Sequence, residues 1–424
     1  MKFVKASLGA LAFLVLGSNL FAATVTVDAS AITVTIPQEI YGSNMSTYTG
    51  VTTGEAAYAT AMQVSGSRNI RWPGGSYSDI VNWNDTGSAP GCLGYGASTP
   101  QFISLLGMFG GHLQAEVNYA GYWCGTQYTL AQAVALAVQW VTTNMTYGAQ
   151  KATHWEIGNE SFGTWEEDGG KCGTIYGTNF AQFYTAMKAA DPTILIGAVS
   201  TPSSTAYNNG GCGGWMPTML AAMKTAGVVP DFLIIHNYPD SGTGVGAATD
   251  ANILNDVGQV STQTAALNTI VTNDIGASYL GKIKYYMTEF NSSLGPGVQT
   301  DEYLNAMFVS EWLMQVAKNG WAGANLWAAK NGGNPDYGFL NVNTNVPYPD
   351  YYVYPMLTGK FGQNMVACTS SDTKVPAYAA IDASGNLTLF MVNNYPTTAE
   401  TATFTVTGFT PAASGSITQA LPEA

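Results

Sequence analysis

Eight short apolar runs, each ending in polar or turn-forming residues, alternate with helical patterns through the middle of this 424-residue chain. They cover residues 40–44, 69–72, 113–119, 154–159, 194–199, 232–236, 284–289 and 324–327. Amphipathic stretches at 130–141, 179–190 and 301–318 lie between them, and Pro192 closes the second. Runs of strand length separated by helices read as βα units, and eight of them is the count for a closed (β/α)8 TIM barrel, an α/β fold. The ends of the chain differ. Residues 24–36 alternate apolar and polar, as do 401–406, while 378–381 and 387–392 flank the turn sequence Asp382-Ala383-Ser384-Gly385. The expected organisation is therefore a leader over 1–23, an N-terminal strand over 24–37, the barrel over 38–345, and a small β-sandwich over 346–424 that the N-terminal strand joins.

The leader is read from Lys2 and Lys5, the apolar run 8–16, and the small residues Ala22-Ala23. It predicts a secreted or periplasmic protein with no membrane association once the leader is removed. The formal charge is −13, from 14 basic and 27 acidic residues, and losing Lys2 and Lys5 makes it more negative. Nucleic acid is thereby excluded as a partner, since its binding depends on neutralising phosphates. Cys92, Cys124, Cys172, Cys212 and Cys368 lack the spacing of a metal knuckle. In an oxidising compartment they predict disulfides, Cys92 with Cys124 and Cys172 with Cys212, leaving Cys368 a buried thiol. Three histidines without clustered spacing argue against zinc.

The chemistry is expected where barrel strands end. Trp155-Glu156-Ile157-Gly158-Asn159-Glu160 closes the fourth unit, and Tyr285-Tyr286-Met287-Thr288-Glu289-Phe290-Asn291 the seventh. Two carboxylates facing each other across a barrel mouth are what glycosidic bond cleavage requires. Glu160 is assigned as the general acid, its pKa raised by burial and a neighbouring carboxylate. Glu289 is the nucleophile, kept ionised by donors from Arg71 and Tyr238. Asn159 is placed to bond the sugar 2-hydroxyl, and Trp327 to form an aromatic floor. His236 orients a catalytic carboxylate or touches substrate. Asn118 and Asn44 complete the candidate substrate contacts.

Other residues have plainer readings. Glu156 is expected to be a buried, paired structural carboxylate. Glu116 is either a salt-bridge partner inside the barrel or a substrate contact. Glu166, Glu167 and Asp168 are read as a solvated acidic run, and His112 and His154 as packing or surface residues. Trp72, Trp123, Trp165 and Trp215 lie in or near mouth loops, where aromatics either stack on sugars or pack the loops. The sequons beginning at Asn159 and Asn291 coincide with the expected site and are not read as glycosylation sites.

Arg71-Trp72-Pro73-Gly74-Gly75, the Glu160 motif, His236-Asn237-Tyr238 and Thr288-Glu289-Phe290-Asn291 together resemble clan A retaining glycoside hydrolases. Within that clan they most resemble the α-L-arabinofuranosidase family and its relatives, over residues 40–327 and the flanking β-sandwich. The resemblance implies Glu160 as acid/base, Glu289 as nucleophile, double displacement with retention, a polysaccharide or oligosaccharide substrate, and neither metal nor cofactor. Three positions depart from the family pattern. Asn44 stands near where its first strand carries a glutamate, Ser76 replaces an asparagine, and Phe290 replaces a tryptophan. An endo-β-glycanase acting on glucan, xylan or galactan is therefore the alternative. A catalytically inactive carbohydrate-binding protein on the same barrel is the alternative of another class. Oligomeric state is not legible.

Overall fold

The computed structural model describes residues 2–7, 22–49, 55–85, 96–240, 249–293, 298–332, 336–395, 397–412 and 414–421. Eight parallel strands close a barrel. In chain order they are β3 (Gly42–Met45), β4 (Asn69–Trp72), β5 (His112–Val117), β8 (His154–Ile157), β9 (Leu195–Val199), β10 (Phe232–Asn237), β11 (Lys284–Phe290) and β12 (Gly323–Lys330), and β12 pairs with β3. All eight expected units are present in the expected order. The amphipathic stretches are α3 (Leu130–Asn144), α4 (Gly173–Ala190) and α8 (Tyr303–Lys318). Thr129 begins α3 with a capping box: its hydroxyl accepts from the Gln132 N–H while the Gln132 side chain accepts from the Thr129 N–H.

Strand alternation sorts side chains between helices and barrel interior. Trp72 faces outward and stacks on Phe102 at 4.2 Å, and Trp155 meets Trp140 edge-on. The interior is filled in two ways. Phe232, Ile234 and Tyr286 form an apolar plug, where the Tyr286 hydroxyl bonds His154 Nε2 at 2.7 Å. Gly197 and Gly323 make room for it, since a Cβ at either would come within 2.4 Å of the Phe232 or Tyr286 ring. Toward the mouth the filling turns polar, with Asn44, Asn69, Arg71, Gln114, Glu116, Glu156 and Thr288 all buried.

Both ends of the chain build a second sheet, in the order Leu387–Met391, Ala377–Ile381, Asn364–Ser370, Ala22–Thr35, Thr401–Thr407. β2 (Ala22–Thr35) runs between β13 (Asn364–Ser370), to which it is antiparallel, and β16 (Thr401–Thr407), to which it is parallel. β14 (Ala377–Ile381) and β15 (Leu387–Met391) form the expected hairpin. Val25, Val27, Val366, Ala377 and Ala379 make a small core of their own, while Met365, Tyr378 and Ala380 join the barrel core. Before this sheet resumes, α9 (Val353–Lys360) buries Tyr354 and Leu357 in the barrel core, and Tyr354 donates its hydroxyl to the Gly42 carbonyl. The boundary read from sequence at 345/346 precedes this helix.

Of the expected leader, Lys2–Ser7 is β1, paired antiparallel with β17 (Ser416–Leu421), and the apolar run 8–16 lies outside the described residues. No helix among the described residues is long and apolar enough to cross a membrane. Cys172 and Cys212 are joined as expected, with Cα atoms 5.9 Å apart. Cys124 is also disulfide-bonded, Cys92 lies outside the described residues, and Cys368 is a half-buried free thiol.

Candidate active site

Arg71 enters the barrel from the middle of β4 and is fully buried. It donates from Nε to Glu156 at 2.9 Å, from Nη1 to Asn44 at 3.1 Å and Glu289 at 2.8 Å, and from Nη2 to Glu116 and to Asn159 at 2.9 Å. A guanidinium carries five N–H donors, so this one is fully spent. Burial alone would discharge it; Glu116, Glu156 and Glu289 outweigh that and push its pKa up. Gln114 and Thr288 also donate to Glu156, and the Gly74 N–H donates to Glu116. Glu116 and Glu156 thus have the barrel-interior, ion-paired places read from sequence.

Glu289 sits at the mouth end of β11. A register shift between β10 and β11 places it beside His236. Its Oε1 accepts from Arg71, and its Oε2 accepts from the Tyr238 hydroxyl at 2.8 Å. Glu160 follows β8 in a tight turn with φ +36°, a left-handed backbone unusual for a residue with a side chain. Its Oε2 accepts from the Trp165 indole at 2.7 Å, and its Oε1 lies 3.0 Å from His236 Nδ1. That same Nδ1 is 3.7 Å from Glu289 Oε2. Glu160 Oε1 and Glu289 Oε2 are therefore no farther apart than those two distances combined, about 6.7 Å.

Burial pushes the Glu160 carboxyl up in pKa, against the Trp165 donor and the Arg71 charge, which pull it down. Burial also pushes Glu289 up, opposed by Arg71 and the Tyr238 hydrogen bond and reinforced by Glu160. Two carboxyls this close titrate as a pair. Arg71 and Tyr238 hold the negative charge on Glu289, so the shared proton belongs on Glu160. Burial lowers His236 to about 4, keeping the imidazole neutral. Its Nε2 lies 3.1 Å from Thr288 Oγ1, which donates to Glu156 at 3.3 Å. One hydrogen assignment serves all three contacts: Glu160 donates to Nδ1, Nε2–H donates to Thr288, and Thr288 donates to Glu156.

The other candidates fall differently. Asn159 accepts from Arg71 and donates to Glu166 at 2.8 Å. Asn44 is buried and bound on both sides, to Arg71 and to the carbonyls of Thr288, Asn325 and Leu326. Trp327 is half-buried in the middle of β12, its ring so close to Gly75 that a Cβ there would come within 2.8 Å. Asn118 is not brought into this cluster. Its amide donates to the Tyr122 carbonyl and its oxygen accepts from the Gly121 N–H, so it shapes its own loop. His154 packs as expected, and both sequon asparagines are buried.

The acidic run after Glu160 differs from its solvated reading. Glu166 and Asp168 are buried, and Glu167 alone is exposed. Glu166 Oε1 accepts from Asn159 and from the Ser76 hydroxyl at 2.9 Å. Burial raises Glu166 to about 7 and Asp168 to about 6, and pushes the fully buried Asp79 well above the usual carboxylate range. The inward turn of Glu166 and the hydroxyl of Thr288 were missed from sequence. Thr288 carried a signal, because it precedes Glu289 within the quoted motif.

No family model matches the sequence, and no curated protein matches it. Solved structures do. An α-L-arabinofuranosidase from Thermotoga maritima, in an arabinose complex, is 18% identical with a TM-score of 0.72, covering 94% of this chain and 96% of its own. A family 51 α-L-arabinofuranosidase from Thermotoga petrophila is 17% identical with a TM-score of 0.74, covering 95% and 96%. A bifunctional glucanase-xylanase from a metagenome library is 16% identical with a TM-score of 0.69, covering 95% and 97%. At these identities the likeness establishes a shared fold, the barrel with its second sheet.

Proposed function

We propose that the protein is a secreted retaining glycoside hydrolase, with Glu160 as acid/base and Glu289 as nucleophile. The observation that carries this is the single imidazole, His236, lying against both carboxylates and holding them within about 6.7 Å. Retaining enzymes keep the pair about 5–5.5 Å apart and inverting ones about 6.5–9.5 Å, so a ceiling of about 6.7 Å leaves only the lower edge of the inverting range. The fold shared with glycoside hydrolases supports the same reading.

In the first step Glu289 attacks the anomeric carbon as the glycosidic bond breaks, and Glu160 gives its proton to the departing oxygen. Arg71 and Tyr238 are placed to keep Glu289 ionised until that attack. In the second step Glu160 takes a proton from water, the water oxygen bonds the anomeric carbon, and Glu289 leaves with net retention. Asn159, fixed between Arg71 and Glu166, is a candidate contact for the sugar 2-hydroxyl.

For substrate, an α-L-arabinofuranoside is the first choice, on the motif set and the arabinofuranosidases that share the fold. One observation favours the endo-β-glycanase reading. Asn44, near the first-strand acid of the arabinofuranosidase pattern, is fully engaged inside the barrel. The mature protein should be tested on aryl α-L-arabinofuranoside and on soluble glucans, xylans, arabinans and galactans, with product configuration read by NMR. Glu289→Ala should lose hydrolysis, and azide added to it should give a glycosyl azide of inverted configuration. Glu160→Ala should spare the first step for substrates with activated leaving groups. Full activity of Glu160→Ala on an unactivated polysaccharide would overturn the assignment.

A further inference from the structure

Trp165 and Tyr207 are large aromatic residues exposed beside Glu160. Trp165 is 58% exposed and Tyr207 38%. Their rings lie 6.2 Å apart at 70°. Both rest on Phe162, which is buried, stacks under Tyr207 at 4.2 Å and 26°, and meets Trp165 edge-on at 6.1 Å. Trp215 closes the base, edge-on to Phe162 at 5.9 Å. Two loops supply these groups, one after β8 and one after β9, and the Cys172–Cys212 disulfide ties them together. Asn209 adds a second tie, its amide donating to the carbonyls of Phe162 at 2.9 Å and Lys171 at 3.1 Å. Tyr207 is held with φ +55°, a left-handed backbone that a bulky residue adopts only where its surroundings enforce it.

Burying two such rings would gain more apolar contact than leaving them in solvent. These loops spend a disulfide, an asparagine bridge and a strained residue to hold two rings in solvent. Their direction follows from Glu160. Its Oε1 faces His236 and the gap toward Glu289, and its Oε2 faces Trp165. A sugar attacked by Glu289 has its anomeric carbon in that gap. The group that departs with the Glu160 proton then leaves past Glu160, toward Trp165.

We infer that Trp165 and Tyr207 form a leaving-group subsite that stacks a sugar ring, so that the substrate carries sugar on both sides of the bond cleaved. This rests on the glycoside hydrolase reading and names the part of the substrate that reading leaves open. The apolar face of a pyranose or furanose ring covers such aromatic surface, and an aryl leaving group makes only part of that contact.

The test is a substrate ratio. kcat/KM is measured on an aryl glycoside and on whichever of the cello-, xylo-, galacto- and arabino-oligosaccharides the wild type cleaves. Tyr207→Ala and Trp165→Ala should each lower the oligosaccharide-to-aryl ratio about tenfold, the loss of one stacking contact. Trp165→Phe, which keeps a six-membered ring while losing the indole donor to Glu160, should hold more of the ratio than Trp165→Ala does. If Tyr207→Ala fails to fold, Tyr207→Asn replaces it, since asparagine tolerates the left-handed backbone. Equal losses on both substrates would overturn the subsite and leave these residues as loop supports. If the wild type hydrolyses nothing, the same oligosaccharides are titrated by tryptophan fluorescence. Binding weakened about tenfold in the Tyr207 variant keeps the subsite even as the hydrolase reading fails. Equal affinity in both proteins overturns it.

Discussion

Replacing Glu311 with glutamine should stabilise the protein, and more so as pH rises. Glu311 lies on α8 where the barrel meets the second sheet, and it is 4% exposed. Its Oε1 accepts from the Asn394 side chain, a contact that the glutamine carbonyl can keep. Burial raises its pKa from 4.5 to about 7. The folded state therefore holds this proton more tightly than the unfolded chain does. The stability tied to that proton is full below the unfolded pKa, falls as pH rises through the folded one, and levels off above it. A shift of about 2.5 units corresponds to a charging cost of about 3 kcal/mol at pH 8 and about 1 kcal/mol at pH 5. Glutamine avoids that cost at both. For a chain of this size unfolding in one step, the melting temperature should rise by about 3–4 °C at pH 8 and about 1 °C at pH 5. Thermal scans of both proteins at the two pH values decide it. A gain independent of pH, or a loss at pH 8, would refute the view that buried charge is the strain at this junction.

The site makes further predictions. Thr288→Val removes the acceptor that fixes the His236 tautomer, so Nδ1–H can donate to ionised Glu160; the alkaline limb of kcat/KM should move to lower pH, and an unmoved limb would refute the assignment. Trp165→Phe removes a donor that lowers the Glu160 pKa, so the same limb should move to higher pH. Arg71→Met leaves Glu116, Glu156 and Glu289 buried without their cation; it should destabilise the protein by about 3–5 kcal/mol in denaturant titrations, with a smaller loss at acid pH. Reducing Cys172–Cys212 should lower the oligosaccharide-to-aryl ratio, with wild type under oxidising conditions as the reference.

The barrel was legible because each strand end combines two signals. Apolar residues that face the helices, such as Trp72 and Trp155, mark the strand, and a polar group such as Arg71 or Glu160 marks its mouth. Glu160, Glu289, His236 and Tyr238 were placed by those ends. Glu166 and Asp168 were misread because acidic residues among glycines look solvated, and only the barrel mouth shows that Ser76 and Asn159 draw Glu166 inward. Asn118 follows the end of a barrel strand, and only the folded loop shows that its amide is taken up by the Tyr122 carbonyl. Asn364–Ser370 gave little strand signal, since its partners lie on β2 and β14 rather than in its own alternation.

The place of β2 between two C-terminal strands of the second sheet sets an order of events. Thr35 bonds Asn364 across 329 residues of sequence, so the first of these strands to be synthesised waits for neighbours that come last. At about 5–20 residues per second the wait on a ribosome is roughly 15–60 s. Through that interval an alternating apolar strand has no sheet to join, which is the form in which nascent chains pair with the wrong neighbour. The barrel can assemble from successive local units, but the molecule is latched only when its two ends meet. Loss of the chain from Asn364 onward would therefore leave Ala22–Thr35 with no sheet to join.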